Sequence, residues 1–303
     1  MRGRVLSGTG GVWRVYTDAD NTIDASLRGR LKQDENGLKL AVGDEVVLEP
    51  DDRGTAWSII EILPRKSRLA RRAPGGQYGE RVLAVNVDQV IIVFAAAKPE
   101  PHPRMLDRFL VIAEGNDLPA RVVVNKAELV EDVTLRAPFA VYERAGYDVH
   151  YTSVKTNRGL DELRLALDGR VSVLTGPSGV GKSSLLNTLY PGLNLRVGEI
   201  SESVNKGRHT TVGASLHPLP GGSFVVDTPG LREVGMWAQP SDELEQCFRE
   251  FRQFLGNCRF GDCQHESEPG CAILEAVKRG DITTVRFESF LKLRGELAAA
   301  EQR

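Results

Sequence analysis

The sequence predicts a multidomain chain: a small N-terminal β-barrel of the OB-fold kind, a central α/β domain, and a mainly helical C-terminal module. Three observations predict it. Between Arg4 and Leu63, short strand-like segments alternate with Gly, Asp and Asn turns; from Val82, apolar strands alternate with helical stretches; and three of the four cysteines cluster with a histidine near the C-terminus. At 303 residues and 41% hydrophobic, the chain is long enough for two or three cores.

The barrel is read over residues 1–64. Its strand segments are RVLSG, VWRVYT, TIDASLRGRL, DEVVLEP and AWSIIEIL, with turns at Gly8–Gly11, Asp34–Gly37 and Asp51–Gly54. Five short strands in so few residues suit a closed barrel. The run Val42 to Val46 reads as the turn into a barrel strand. Trp13, Tyr16 and Arg28 or Arg30 are candidates for an RNA-binding face, and the aromatics serve equally well as core. Residues 1–64 hold eight Lys/Arg against eleven Asp/Glu, whereas Pro64–Arg81 holds six basic residues and one acid. Residues 65–81 are therefore expected to be a basic linker, either solvated or lying along a phosphate backbone.

A parallel sheet covered on both faces is expected over residues 82–235. Strands are read at Gln89–Ala95, Arg121–Val124, Asp148–Thr152, Val171–Thr175, Ala214–Leu219 and Phe224–Val226. Helices are read at Asp107–Asn116, Ala137–Gly146 and Leu160–Leu167. In such sheets ligands sit beyond the carboxyl ends of the strands, so the loops there carry the function.

The loop after Thr175 is GPSGVGKSS, which fits the phosphate-loop pattern G-x-x-x-x-G-K-S/T between a strand and a helix. Gly176, Pro177, Ser178, Gly179, Val180, Gly181, Lys182, Ser183 and Ser184 form the expected cradle. Its glycines let backbone N–H groups and a helix N-terminus face a polyphosphate. Lys182 supplies charge for the β- and γ-phosphates, and Ser183 a hydroxyl for Mg²⁺.

Four other loops fall at ends of the same sheet. NKAE (Asn125, Lys126, Ala127, Glu128) resembles the guanine-specificity motif N-K-x-D of GTPases, with glutamate in place of aspartate. SVK, with Ser153 and Val154, resembles their second base-contacting loop. DTPG matches D-x-x-G, offering Asp227 to Mg²⁺ and the Gly230 N–H to the γ-phosphate. KGRHTT resembles switch I, where Thr211, or Thr210 before it, completes the metal shell. Base motifs precede phosphate motifs, the reverse of the usual order, so the domain reads as a circularly permuted P-loop GTPase. Leu231 stands where Ras-like proteins carry the water-orienting glutamine. His209 is the candidate replacement, an arginine or an external group being the alternative; with Lys182 and Thr211 it makes up the expected catalytic set.

Over residues 236–303 the pattern C-x₄-C-x-H-x₅-C sets Cys258, Cys263, His265 and Cys271 as a closed Cys₃His donor set of the kind that holds structural zinc. Cys247 lies outside it, in the helical-looking run ELEQCFREFRQFL, and is expected to be buried.

A small barrel, a permuted GTPase domain and a Cys/His module together resemble the ribosome small subunit-dependent GTPase A family, RsgA/YjeQ, over nearly the whole chain. The resemblance implies a GTP hydrolase that uses GTP/GDP, Mg²⁺ and one structural Zn²⁺, and binds the small ribosomal subunit and its rRNA. Hydrolysis would be slow alone, stimulated by the subunit and coupled to release. A monomer is expected. The longest apolar run, VIIVFAAA, is far shorter than the roughly 20 residues a membrane span needs, and the N-terminus has no apolar signal core, so a cytoplasmic location is expected. The alternative is a GTP-gated binding module for another RNA or a protein, with incidental hydrolysis.

Overall fold

The structure is a computed structural model, and it describes residues 1–29, 39–51, 54, 56–72, 80–193, 195, 214–227 and 243–301. The first five strands are β1 (Arg2–Thr9), β2 (Val12–Thr17), β3 (Thr22–Leu27), β4 (Glu45–Pro50) and β5 (Trp57–Ile62). They close into a barrel in the order β1-β2-β3-β5-β4. Alternation along each strand sends Val5, Val15, Ala25, Val46, Leu48 and Ile59 inward.

The turn before β4 fastens the barrel to the rest of the chain. Gly43 has φ +93°, and a Cβ there would lie 2.1 Å from the Val85 carbonyl oxygen, so only glycine allows this approach. Next to it, the fully buried Asp44 accepts two hydrogen bonds from Arg65, each 2.8 Å, and one from the Ala41 N–H at 2.7 Å. The barrel also meets the sheet at Tyr16, whose ring packs edge-on to Phe224 at 5.7 Å.

The stretch expected to be a linker is structured where it is described. β6 (Arg68–Arg72) pairs antiparallel with β7 (Glu80–Val85), and Leu69 and Ala84 are fully buried on the face that packs against the sheet domain. The charge run hid this in the sequence, because a stretch rich in arginine looks like a solvated segment.

The sheet is built from β8 (Gln89–Ala95), β9 (Ala120–Asn125), β10 (Asp148–Tyr151), β11 (Val171–Thr175), β12 (Ser215–Pro218) and β13 (Phe224–Asp227), in the order β10-β9-β8-β11-β13-β12. Five strands are parallel; β12 runs antiparallel to β13, contrary to the all-parallel expectation. The cause is local. A single turn at Pro220–Gly222, with Gly221 and Gly222 both at positive φ, joins the two strands, and a connection that short can only make an antiparallel pair. One face of the sheet packs on the α-helix Pro103–Glu114, with Phe109 and Leu110 against Ile92 and Phe94. The other packs on the helices Leu160–Leu167 and Lys182–Leu189.

The C-terminal module centres on Phe248, Phe251 and Phe290, with Leu244, Ile273 and Leu293. Its helices are Ala272–Arg279 and Thr284–Glu301. The run ELEQCFREFRQFL is not a helix but two 3₁₀ turns, Leu244–Cys247 and Arg249–Phe251, separated by Phe248 in extended geometry. That break lets Phe248 and Phe251 both enter the core, and Cys247 is buried beside them. Among the described residues, no helix is long and apolar enough to cross a membrane.

Candidate functional site

The strand polarity places the ends of β8, β9, β10, β11 and β13 along one edge of the sheet, and there the described loops GPSGVGKSS, NKAE and SVK converge with Asp227. Gly176 leaves β11 at φ +132°, where a Cβ would sit 2.0 Å from the Val93 carbonyl oxygen of β8. Gly181 takes φ +95° as the residue before the helix Lys182–Leu189, and among the described residues the N-cap position offers that helix no side-chain hydrogen bond. Its first-turn N–H groups thus lack a side-chain acceptor, the condition for holding a phosphate. Lys182 is buried, and its ammonium donates to the Gly176 and Pro177 carbonyls at 2.8 and 2.6 Å, across the loop it closes. Ser183 is buried at the first turn, with Ser184 after it.

Asn125 joins the base loop to the phosphate loop. Its amide donates to the Val180 carbonyl at 2.9 Å, and its oxygen accepts from the Thr152 hydroxyl at 3.3 Å. Lys126 adopts φ +59° and donates to the Gly179 carbonyl at 2.7 Å and to the Lys98 carbonyl. The Ala127 N–H is held by the Thr152 carbonyl at 3.0 Å.

These bonds set Glu128 in place. Burial pushes its carboxyl up, but the Ser153 hydroxyl, the backbone and the charges of Lys155 and Lys126 together hold it below the ordinary value. Glu128 is therefore ionised at neutral pH. Lys155 lies 3.9 Å from Oε1, while Oε2 is buried with no hydrogen-bond partner among the described residues. An ionised, buried, unpaired oxygen is a site for N–H donors.

Ser153 is fully buried, and its N–H donates to the Arg158 carbonyl at 3.0 Å, leaving Val154 as the backbone donor of that pair for a ligand. Asp227 ends β13 directly across from Ser215 of β12. Two residues along, His217 shares that face and its Nε2 lies 3.2 Å from the Ser215 hydroxyl. Arg30, His209, Thr210, Thr211 and Gly230 lie outside the described residues.

The second constellation is the Cys₃His set. The ligand atoms of Cys258, Cys263, His265 and Cys271 all lie within 4.8 Å of one another. Cys258 Sγ is 3.9 Å from Cys271 Sγ and 3.6 Å from His265 Nδ1, which is 3.3 Å from Cys271 Sγ. A zinc tetrahedron with sulfur about 2.3 Å from the ion has edges of roughly 3.8 Å, so the donors fit zinc. Burial and the neighbouring thiols push Cys263 up to about 12, and burial raises Cys271, so these two thiols ionise readily only around a cation. The Ala272 and Leu274 N–H groups point at the Cys258 and Cys271 sulfurs, each at 3.4 Å.

Sequence reasoning missed three supports. Glu245 lies 2.8 Å from His265 Nε2 and turns Nδ1 toward the sulfurs. Thr152 holds Asn125 and Ala127, and Lys98 receives Lys126. None carries a motif; the signal for Thr152 was its place directly before the base loop.

Residues 62–237 match the family model described as RsgA GTPase, and residues 2–57 match RsgA N-terminal domain. The chain belongs to the RsgA GTPase family. It is 58% identical over 297 residues, 97% of each chain, to a protein of Gemmatimonas aurantiaca named small ribosomal subunit biogenesis GTPase RsgA. It is 44% identical over 254 residues, 83% of this chain and 73% of the relative, to a protein of the same name from Ectopseudomonas mendocina. The crystal structure of YjeQ from Thermotoga maritima superimposes with a TM-score of 0.80 at 37% identity over 98% of both chains. YloQ, described as a circularly permuted GTPase, gives 0.78 at 28% identity over 100% of this chain and 96% of its own. As an RsgA GTPase, this chain hydrolyses GTP, and the family implies GTP/GDP and Mg²⁺ as its ligands. The permuted order is that of the sheet, since β9 and β10 with the base loops precede β11 with the phosphate loop.

Proposed function

We propose that this RsgA GTPase binds the small ribosomal subunit and assists its late maturation, with GTP favouring docking and hydrolysis favouring release. The observation that carries the nucleotide half is the Asn125–Val180 hydrogen bond, which locks base loop and phosphate loop into one site. The names of the relatives support the ribosomal half. The barrel over 1–64, the basic segment 65–81 and the module over 236–303 would contact rRNA, mainly at backbone phosphates, flanking the GTPase domain over 82–235. The reading places a monomer in the cytoplasm.

Within the site, Glu128 accepts from the guanine edge, the Lys126 stem covers the purine, and Val154 donates to its carbonyl. Backbone N–H groups from Gly176 to Ser184 and the Lys182 ammonium hold the phosphates. Ser183, Asp227 and Thr211, or Thr210, would hold Mg²⁺, which supplies charge neutralisation at the phosphates when bound. Gly230 senses the γ-phosphate, and His209 positions the attacking water. One structural zinc ties Cys258, Cys263, His265 and Cys271, leaving no open position for chemistry.

GTP hydrolysis measured alone, with small subunits and with large subunits tests this. Stimulation confined to small subunits is expected, together with its loss in His209→Ala. Equal rates in all three mixtures would sink the ribosomal reading.

A further inference from the structure

A guanidinium is buried where the C-terminal module meets the sheet domain. Arg286, on the helix Thr284–Glu301, is 1% exposed and donates to Asp107, itself 1% exposed, on the helix Pro103–Glu114. It also reaches both oxygens of Glu250, at 2.6 and 3.3 Å. The Phe248 and Tyr142 rings flank it at 4.5 and 5.4 Å. Around this centre Glu114 is gripped by Arg249 and Arg252 at 2.6 and 2.7 Å, and Arg108 pairs with Glu296. Among the described residues, Val111 of the sheet domain is buried in the module's apolar cluster. The junction is thus built on charge. Buried ion clusters add little net stability for their desolvation cost, but removing one partner leaves an uncompensated buried charge.

The sheet-domain side of that cluster leads to the nucleotide loops. Asp107 lies one turn into a helix that begins at Pro103, directly after the loop leaving β8. In that loop the Lys98 carbonyl accepts from Lys126, which also holds Gly179, and Pro99 lies against Gly179, 3.8 Å from where a Cβ would stand. The Tyr142 hydroxyl donates to the Pro103 carbonyl at 3.0 Å while its ring flanks Arg286. One contiguous set of contacts runs from the module to the phosphate and base loops.

We propose that Arg286 is a positioning residue of the nucleotide site, acting through the helix Pro103–Glu114 on Lys126 and Gly179, so that module docking and nucleotide binding are coupled. This rests on the nucleotide reading of those loops. Coupling is reciprocal: whatever docking adds to nucleotide affinity, nucleotide adds to docking. A residue that merely fastened the module would leave nucleotide release untouched.

The test uses the full chain with a fluorescent GDP analogue and Mg²⁺. Arg286→Met is expected to release the analogue about fivefold faster or more, within the usual range of couplings. Because that substitution strands two buried carboxylates, a second measurement uses the unaltered chain: amide hydrogen exchange over residues 284–297, expected to slow with saturating GDP. Exchange unchanged by GDP, or a folded Arg286→Met chain with the unaltered release rate, overturns the proposal. An unaltered chain that binds no GDP overturns the nucleotide reading itself, and the coupling with it.

Discussion

At Glu128 the carboxylate is one methylene longer than the aspartate of the common motif, yet Ser153 and Lys155 hold it so that Oε2 is buried and open. Two N–H donors to a buried charge are each worth about 1.5–3 kcal/mol. Glu128→Ala should therefore weaken GDP binding by roughly a hundredfold or more while leaving weak ADP binding unchanged, as competition against a fluorescent nucleotide would read. Two histidines give the fold a pH dependence. Burial lowers His150, with Arg121 adding to the shift, and burial lowers His217 against the pull of Asp227. Both are held neutral in the fold, so the unfolded chain binds protons first. Their contribution is complete above about pH 6.5 and is lost as pH falls below it. The urea midpoint should drop between pH 7.5 and pH 5, and His150→Gln with His217→Gln should flatten that drop. An equal drop in the double variant would assign it to other groups.

Among the elements, the phosphate loop depends most strictly on its backbone. A side chain at Gly176 meets both a forbidden φ and the Val93 carbonyl 2.0 Å away, and β8 and β11 cannot part without breaking the centre of the sheet. Left-handed strain alone costs about 1–3 kcal/mol. Gly176→Ala is expected to abolish measurable GDP binding and to lower the unfolding temperature by several degrees; normal GDP affinity in that variant would show that the loop has another conformation. The hairpin β6–β7 and the β12–β13 turn show how elements escape a sequence reading. In the first, the arginine-rich run hid the buried cross-strand pair Leu69 and Ala84. In the second, Leu219–Ser223 proved short enough to reverse the strand rather than cross over.

Across the whole molecule, three bodies are joined by unlike seams: a backbone-to-backbone approach at Gly43 with the Asp44–Arg65 pair, and an arginine-built junction at Arg286. Small modules closed by a metal unfold without it. Treatment with a strong chelator should expose Phe248, Phe251 and Phe290 to solvent while the sheet stays folded, seen as loss of hydrogen-exchange protection confined to residues 244–297. Retained protection there would mean that the apolar cluster alone holds the module. By itself the sequence determined the five-strand barrel, the order of strands and loops along the permuted domain, and the four members of the Cys/His cluster, because each is written in local spacing: alternation, glycine placement, cysteine intervals. Only the tertiary structure decided that Glu245 orients His265, that Asn125 bonds Val180, and that Arg286 meets Asp107. Those partners lie 20, 55 and 179 residues apart, and at such distances a polar side chain's partner is set by packing and desolvation rather than by any pattern along the chain.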